Sequence, residues 1–420
     1  MADFKQACDY LKIASSRGSK LGLERVVGLM ELLGNPQNKL KVIHVAGTNG
    51  KGSFCAMLSS VLTQAGYKTG SFNTPALTGI TDYFRIDGKE ISEDKFAEIM
   101  TEIIPVCESM EEKPTEFEII SAAAYLLFYR EKCDIAIIEC CMGGDTDATN
   151  TIEKPILSII TNVQKDHTAF LGDTLPKIAS HKAGVIKSSC PVFYGGETAC
   201  EAYDVIESRA EKLNSPLYLQ DFSDISDIKY SLDGISLEYK DTEIHTGLSG
   251  AYQVSNIANV LNCISILNKC GLDISDDNIK KGLENTKWHG RFEILSHNPL
   301  VIFDGAHNPD GISQAVNTIE KYFDRIILLI GVMADKEYKL YNNMLGKYID
   351  TAFTVKPDNP RALDSEILAG TFENARAYPV FSEGVEKAYS YAKEKNLPLV
   401  ALGSLYMYKE FTDVLKNIKE

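Results

Sequence analysis

Apolar positions along the chain follow two periods. Lys41–Ala46 ("KVIHVA") is a short, nearly continuous apolar run, the pattern of a strand buried on both faces. Beyond a Gly-rich turn, Phe54, Met57, Leu58, Val61 and Leu62 recur at helical spacing. They predict a helix over residues 53–65, closed by Gly66. Helical periods cover 93–110 and 116–130. Apolar runs at Cys133–Cys141 and Ile156–Val163 read as strands, followed by a helix over 174–186 and a strand over 191–194. Strands alternating with helices predict an α/β fold with a mostly parallel sheet, and ligands beyond the carboxyl ends of its strands. Between them, 73–88 is rich in Thr, Gly and aromatic residues and reads as a long functional loop.

The pattern changes at Asp227–Thr246 to short alternating strands, with Asp233-Gly234 as a hairpin turn. This predicts a small antiparallel section. A helix over 252–269 follows. A second α/β section then carries strands at 300–303, 326–330, 352–355 and 399–402. The "SHNP" string, Ser296–Pro299, has linker chemistry. It divides the chain into an N-terminal domain, 1–295, and a smaller C-terminal Rossmann-like domain, 296–420. No internal repeat or low-complexity tract interrupts this order.

Composition narrows the function classes. The 420 residues suffice for two or three domains, and 44% hydrophobic with 24% charged is an ordinary globular mix. The formal charge of −15 opposes a polyphosphate partner, so no nucleic-acid binding is expected. No apolar run is long enough for a membrane span. The first ten residues lack the apolar core of a secretory signal. The ten cysteines form no C-x-x-C pair. Reduced thiols, a cytoplasmic location and no zinc site are the expectation.

The sharpest chemical signal is "VAGTNGKGS", Val45–Ser53. A strand enters a turn with Gly47, Gly50 and Gly52 and leaves into a helix. Glycines let main-chain N–H groups face phosphate oxygens, and the helix N-terminus adds positive potential. Thr48, Asn49, Gly50, Lys51, Gly52 and Ser53 are the candidate phosphate cradle. Lys51 is placed to reach the outer phosphates and Ser53 to meet a magnesium ion. The spacing departs from the usual Lys-Ser pair, because Gly52 intervenes.

This string resembles the phosphate loop of the Mur ligase superfamily, specifically its folylpolyglutamate synthase and dihydrofolate synthase branch. Further strings agree in family order: "FEIISAAAYLLF" (Phe117–Phe128), "GGDTDATN" (Gly143–Asn150), "ITNVQKDHTAFLGDTLPKIASHKAGVIK" (Ile160–Lys187), "YQVSNIANVL" (Tyr252–Leu261), "WHGRFE" (Trp288–Glu293) and "DGAHNPDG" (Asp304–Gly311). The resemblance covers nearly the whole chain. It implies a Mur-ligase-like P-loop ATPase domain followed by the C-terminal α/β domain, and an ATP-dependent carboxylate–amine ligase that adds L-glutamate to a folate-like acceptor through an acyl phosphate.

The resemblance also assigns residues. Ser53, Thr74, Glu139 and His167 become magnesium ligands, in two sites, and Lys182 becomes a carbamylated lysine supporting the second. On residue chemistry alone, His167 reads as a hydrogen-bonding loop histidine, since magnesium prefers oxygen. Lys51, Lys182 and His167 are the implied catalytic groups. Asn256 is the implied adenine contact, Arg291 a phosphate contact and Asp304 a ribose contact, with His307 nearby and ATP held between the domains. Arg85, Asp145 and Asp147 fall to the acceptor. Asp335, read from its place in the charged loop after the strand at 326–330 and not from the resemblance, is the candidate contact for the incoming amino acid. A monomer is implied, with small-molecule partners only, and no coiled-coil heptads oppose it.

Departures from the family pattern gather on the acceptor side. The family's S-P-H-L is Thr74-Pro75-Ala76-Leu77 here, and the arginine of its G-G-R-L-D is Asp145. The acidic residue before its R-I pair is replaced by Phe84, although Arg85 remains. Added negative charge at Asp145 would weaken an anionic acceptor's contacts. A ligase for a non-folate carboxylate therefore stands as the alternative. A non-catalytic nucleotide-binding protein is a third reading, opposed by Lys51, Glu139, His167 and Lys182 together.

Overall fold

The computed structural model describes residues 3–18 and 22–419; the outermost residues of the two expected domain spans, Met1, Ala2 and Glu420, lie outside them. The chain forms two units. One comprises Met1–Ser226, Glu238–Ile244 and Ser255–Thr286, and the other Asp227–Leu237, His245–Val254 and Lys287–Glu420.

The first unit holds an eight-stranded sheet. Its strands are β1 (Lys41–Ala46), β2 (Thr69–Phe72), β3 (Phe84–Ile86), β4 (Lys89–Glu90), β5 (Ile135–Glu139), β6 (Leu157–Ile160), β7 (Val192–Tyr194) and β8 (Leu217–Leu219), in the order β4-β3-β2-β5-β1-β6-β7-β8. β2 and β5 through β8 run parallel to β1 as a continuous set, while β3 and β4 are antiparallel additions at one edge. β1 leads away past β5 to β2, whereas β6 leads the other way to β7. Their carboxyl ends thus flank a topological switch point, where open α/β sheets bind ligands.

Burial explains the apolar runs. β5 is buried at every position, as is β1 after Lys41. One face of the sheet packs Phe72, Phe84, Phe96, Ile119 and Phe128. Another cluster packs Ile160, Ile178, Val185 and Tyr194. The helix Glu116–Arg130 begins at a capping box, Thr115 with Glu118, and buries every residue from Glu118 to Phe128. An all-round apolar helix of this kind belongs inside a domain.

Three strands follow: β9 (Ile225–Ser231), β10 (Gly234–Tyr239) and β11 (Thr242–Thr246), in one three-stranded sheet of order β11-β10-β9. Two-residue connections join them, so neighbours run antiparallel. The first turn is Leu232-Asp233, one residue earlier than the Asp-Gly pair suggested, because Gly234 already opens β10.

The second unit's sheet is β12 (Glu293–His297), β13 (Leu300–Phe303), β14 (Ile326–Ile330), β15 (Ile349–Val355), β16 (Ala375–Tyr378) and β17 (Leu399–Leu402), ordered β12-β13-β17-β14-β15-β16. Five strands are parallel and β12 is an antiparallel edge. Ser296 and His297 belong to β12, and Asn298-Pro299 turn the chain into β13. The expected linker is thus a hairpin.

Two further expectations are corrected. The stretch 73–88 is only half loop: Ile80–Tyr83 is a 3-10 turn, and Phe84–Ile86 pairs with β2. Phe84 is drawn in by the aromatic core, which a periodicity reading of a Thr- and Gly-rich stretch overlooks. The apolar run Cys133–Cys141 is a strand only over Ile135–Glu139; beyond it Cys140 is buried and Cys141 is exposed.

Candidate active site

The phosphate loop leaves β1 at the switch point. Gly47 and Gly50 have φ of 145° and 84°, which side-chain-bearing residues rarely adopt. A Cβ on Gly47 would strike Thr161, and one on Gly50 would strike Asn256. The loop is pinned from β6's carboxyl end. Asn162 Oδ1 accepts from Thr48 N (3.2 Å) and Asn49 N (3.0 Å). Thr161 Oγ1 donates to Asn49 O at 2.7 Å. Thr48 Oγ1 donates to Gln164 O at 3.1 Å and accepts from Gln164 N at 2.9 Å. Thr48 and Asn49 are therefore engaged in holding the loop. The helix starts at Lys51, two residues before the sequence pattern indicates, with Gly50 as its N-cap.

Two lysines converge on one carbonyl. Lys51 Nζ donates to Gly47 O at 3.0 Å and Thr48 O at 3.2 Å. Lys182 Nζ, from the helix Leu175–Lys182, donates to the same Gly47 O at 2.8 Å. Lys182 is 4% exposed. Burial above all, then the neighbouring Lys51 charge, lowers its pKa to about 7. Lys182 is not the surface lysine that an amphipathic helix alone would suggest.

Glu139 ends β5, opposite Val45 in the register with β1. Its buried carboxylate accepts from Asn73 Nδ2 and from Thr74 N, each at 3.2 Å. Asn73 is aimed by Ser71, whose hydroxyl donates to Asn73 Oδ1 at 2.6 Å. Ser53 is buried in the first turn of the phosphate-loop helix. Glu139 and Thr74 are thus together. His167 is exposed, in a left-handed conformation at the head of the short helix Thr168–Leu171, with its N–H on Asp166 Oδ1 at 2.8 Å. Among the described residues no three His, Cys, Asp or Glu side chains form a ready metal cluster. The Glu139 carboxylate and the hydroxyl-bearing Thr74 beside it offer oxygen chemistry, which fits a hard cation such as magnesium rather than zinc.

The acceptor-side residues show a different economy. Asp145 does not project a bare charge: both its oxygens lie 2.9 Å from His181 Nδ1, and its N–H donates to His181 O at 2.9 Å. Asp147 is turned inward. It accepts from Met142 N (2.8 Å), Thr149 N (3.0 Å) and Thr149 Oγ1 (2.6 Å). Burial raises its pKa and these donors oppose the rise. Thr149 also meets the fully buried His44 at 2.9 Å. Burial holds that imidazole neutral, with a pKa lowered to about 3. Arg85 donates to Asp82 O at 2.8 Å and pairs with the Asp82 carboxylate. Asn256, buried on the helix Gln253–Lys269, faces Gly50.

The second unit holds the remaining candidates. Asp304 directly follows β13 and is buried. It accepts from Tyr252 Oη (2.6 Å), Phe292 N (3.0 Å) and Ala306 N (2.8 Å). Burial raises its pKa, and Arg291 pulls the other way. Arg291 Nη1 donates to Gly290 O at 3.1 Å. His307 Nδ1 lies 2.8 Å from Gly305 O. Asp335, half-exposed, is 4.0 Å from Arg361, whose guanidinium sits 5.5 Å from the Tyr406 ring centre.

Two family models match the chain: the Mur ligase middle domain over residues 45–264 and the Mur ligase glutamate ligase domain over 290–404. The dihydrofolate synthase/folylpolyglutamate synthase of Bacillus subtilis is 33% identical over 417 residues, covering 96% of each chain. The chain belongs to this branch of the Mur ligases. Solved structures of the family agree in fold. The E. coli FolC complex with DHPP and ADP superposes with a TM-score of 0.86 at 26% identity, covering 99% of this chain and 98% of that one. Mycobacterium tuberculosis folylpolyglutamate synthase complexed with ADP and AMPPCP gives 0.88 at 25% identity, covering 99% of each.

Sequence reading of the family strings did not single out several residues that organise the site. Asn162 and Gln164 sit within a quoted string, but their role depends on β6 lying beside β1. Asn73 and His181 adjoin named candidates, and only the fold shows what they hold. Tyr252 carries a chemical hint, since a buried phenol needs a partner.

Proposed function

We propose that this protein is an ATP-dependent carboxylate–amine ligase that joins L-glutamate to a folate-type carboxylate. The observation that carries the reading is the loop Gly47–Ser53, where Lys51 and the buried Lys182 meet at a single carbonyl beside Glu139's strand end. An acceptor carboxylate is a poor electrophile. Its oxygen attacks the γ-phosphorus of ATP, giving an acyl phosphate and ADP. The glutamate amine then attacks the carbonyl carbon, an amide forms and phosphate leaves with the bonding pair. Lys51 and Arg291 neutralise charge on the transferring phosphoryl, which is chiefly electrostatic and positional work.

In this reading Thr48 to Ser53 cradle the phosphates, Asn256 meets adenine, and Asp304 and His307 serve the ribose side. Ser53, Thr74 and Glu139 would hold one magnesium ion, and His167 with carbamylated Lys182 would hold a second. Magnesium at these places supplies positive charge to the phosphate oxygens. Carbamylation suits Lys182 because a neutral amine is the nucleophile: Nζ attacks the carbon of carbon dioxide, a proton leaves, and a carboxylate results. Asp147 orders the loop next to the acceptor, and Asp335 stands on the amino-acid side. Asp145 is held by the His181 ring nitrogen within the protein, and the folate acceptor is favoured over a non-folate carboxylate by the named relatives. The protein acts as a cytoplasmic monomer on small molecules, a reading supported by its ten free thiols and by the family pattern. Among the described residues no helix is long and apolar enough to cross a membrane.

The test is phosphate release with ATP, magnesium and L-glutamate, comparing tetrahydrofolate, dihydropteroate and no acceptor, with products weighed by mass spectrometry. One or more glutamyl units gained by a pterin is the expected result. ATP binding without turnover on either pterin would overturn it.

A further inference from the structure

Arg85 is expected to touch the acceptor, yet its guanidinium is directed at Asp82. Nη1 donates to the Asp82 carbonyl at 2.8 Å and Nη2 pairs with Asp82 Oδ1. The other oxygen, Oδ2, accepts the Leu77 N–H at 2.6 Å. Asp82 is 6% exposed, so little water competes for it. Leu77 lies in the middle of the loop Thr74–Gly79. That loop is closed at its base by Asn73 N donating to Tyr83 O at 3.1 Å. At its start, Asn73 and Thr74 both donate to Glu139. A continuous set of contacts therefore runs from Arg85 through Asp82 and the loop to Glu139.

The family pattern carries an acidic residue directly before R-I, where Phe84 stands here. Phe84 is fully buried, with ring centres 5.8 Å from Phe72 and 5.7 Å from Phe96. A carboxylate there would be desolvated among aromatic rings. The acid is found two residues earlier, in the 3-10 turn Ile80–Tyr83, where it faces both Arg85 and the loop.

We propose that Asp82 is a positioning residue for the acceptor site: held by Arg85, it fixes the Thr74–Gly79 loop through the Leu77 amide and so sets Thr74 beside Glu139. Arg85 then acts through Asp82 and is a positioning residue too. The acceptor part of this inference rests on the ligase reading above; the loop part does not.

Hydrogen exchange and steady-state kinetics on the full chain test it with Asp82→Ala and Asp82→Asn. In D82A the 74–80 segment should exchange at least about tenfold faster. The KM for the pterin acceptor should rise roughly ten- to hundredfold, the scale of one hydrogen bond to a charged group. ADP affinity, measured without magnesium because Thr74 is a proposed magnesium ligand, and exchange across Lys51–Gln64 should stay as in the parent. D82N keeps an acceptor for Leu77 and should move the same quantities less. If D82A does not fold, D82N carries the test on the same readouts. Unchanged exchange in 74–80, an unchanged acceptor KM, or an ADP affinity falling in step with the acceptor KM would overturn the proposal. A parent enzyme that turns over no pterin would sink the ligase reading instead, and the exchange of the 74–80 segment would still decide the brace.

Discussion

Lys182 shows how one buried amine ties stability to chemistry. In a free chain lysine holds its proton to about pH 10.5, whereas in the fold Lys182 releases it near 7. Between those values the unfolded chain binds more protons, so folding stability rises with pH across that window. Below pH 7 the full cost of a buried ammonium stands. Lys182→Met should therefore gain most over the parent at pH 6, and the gain should shrink toward pH 10. Urea midpoints in buffer free of carbon dioxide would measure it, and a pH-independent difference would refute the assignment. The same substitution should lower kcat by about a hundredfold or more, the usual cost of removing one organising electrostatic group.

Turns and helix starts carry the next layer. Gly50→Ala would force a side chain into a left-handed N-cap and against Asn256. It should cost about 1–3 kcal/mol of stability and weaken nucleotide binding, read by melting temperature and ADP titration. At the start of the helix Glu116–Arg130, Glu118 accepts Thr115 N at 2.7 Å and pairs with Arg25 at 3.0 Å, both side chains largely buried. Arg25→Met leaves that carboxylate without its cation and should cost about 3–5 kcal/mol, measured by denaturant unfolding. This is also the scale at which sequence legibility divides. β1 and the helix Glu116–Arg130 are readable because their apolar periods are long and unbroken. β3, β12 and β16 are not, since three to five residues of mixed polarity become strands only when a neighbour offers its edge. Glu139 and Lys182 were legible through family strings. Asp82 was not, because its partners meet it only once Phe84 is buried.

For the molecule as a whole, nucleotide binding is a folding term. ADP at a hundred times its dissociation constant should add about 2.7 kcal/mol to the stability of the unit that binds it, seen as a rise in melting temperature that follows ligand concentration. A protein with a net charge of −15 that binds a polyanion relies on local cations, and here two of them rest on the main chain at Gly47. Under the carbamylation of Lys182 proposed above, that resting place favours one order of events. Burial and the neighbouring Lys51 charge favour the neutral form of Lys182. Phosphates bound at the loop would lend Lys182 negative company, which favours its protonated form. Carbon dioxide, which needs the free amine, is thus best captured first. Enzyme exposed to bicarbonate before ATP should start without delay, and enzyme exposed in the reverse sequence should show a lag, so that the loop keeps a record of which guest came first.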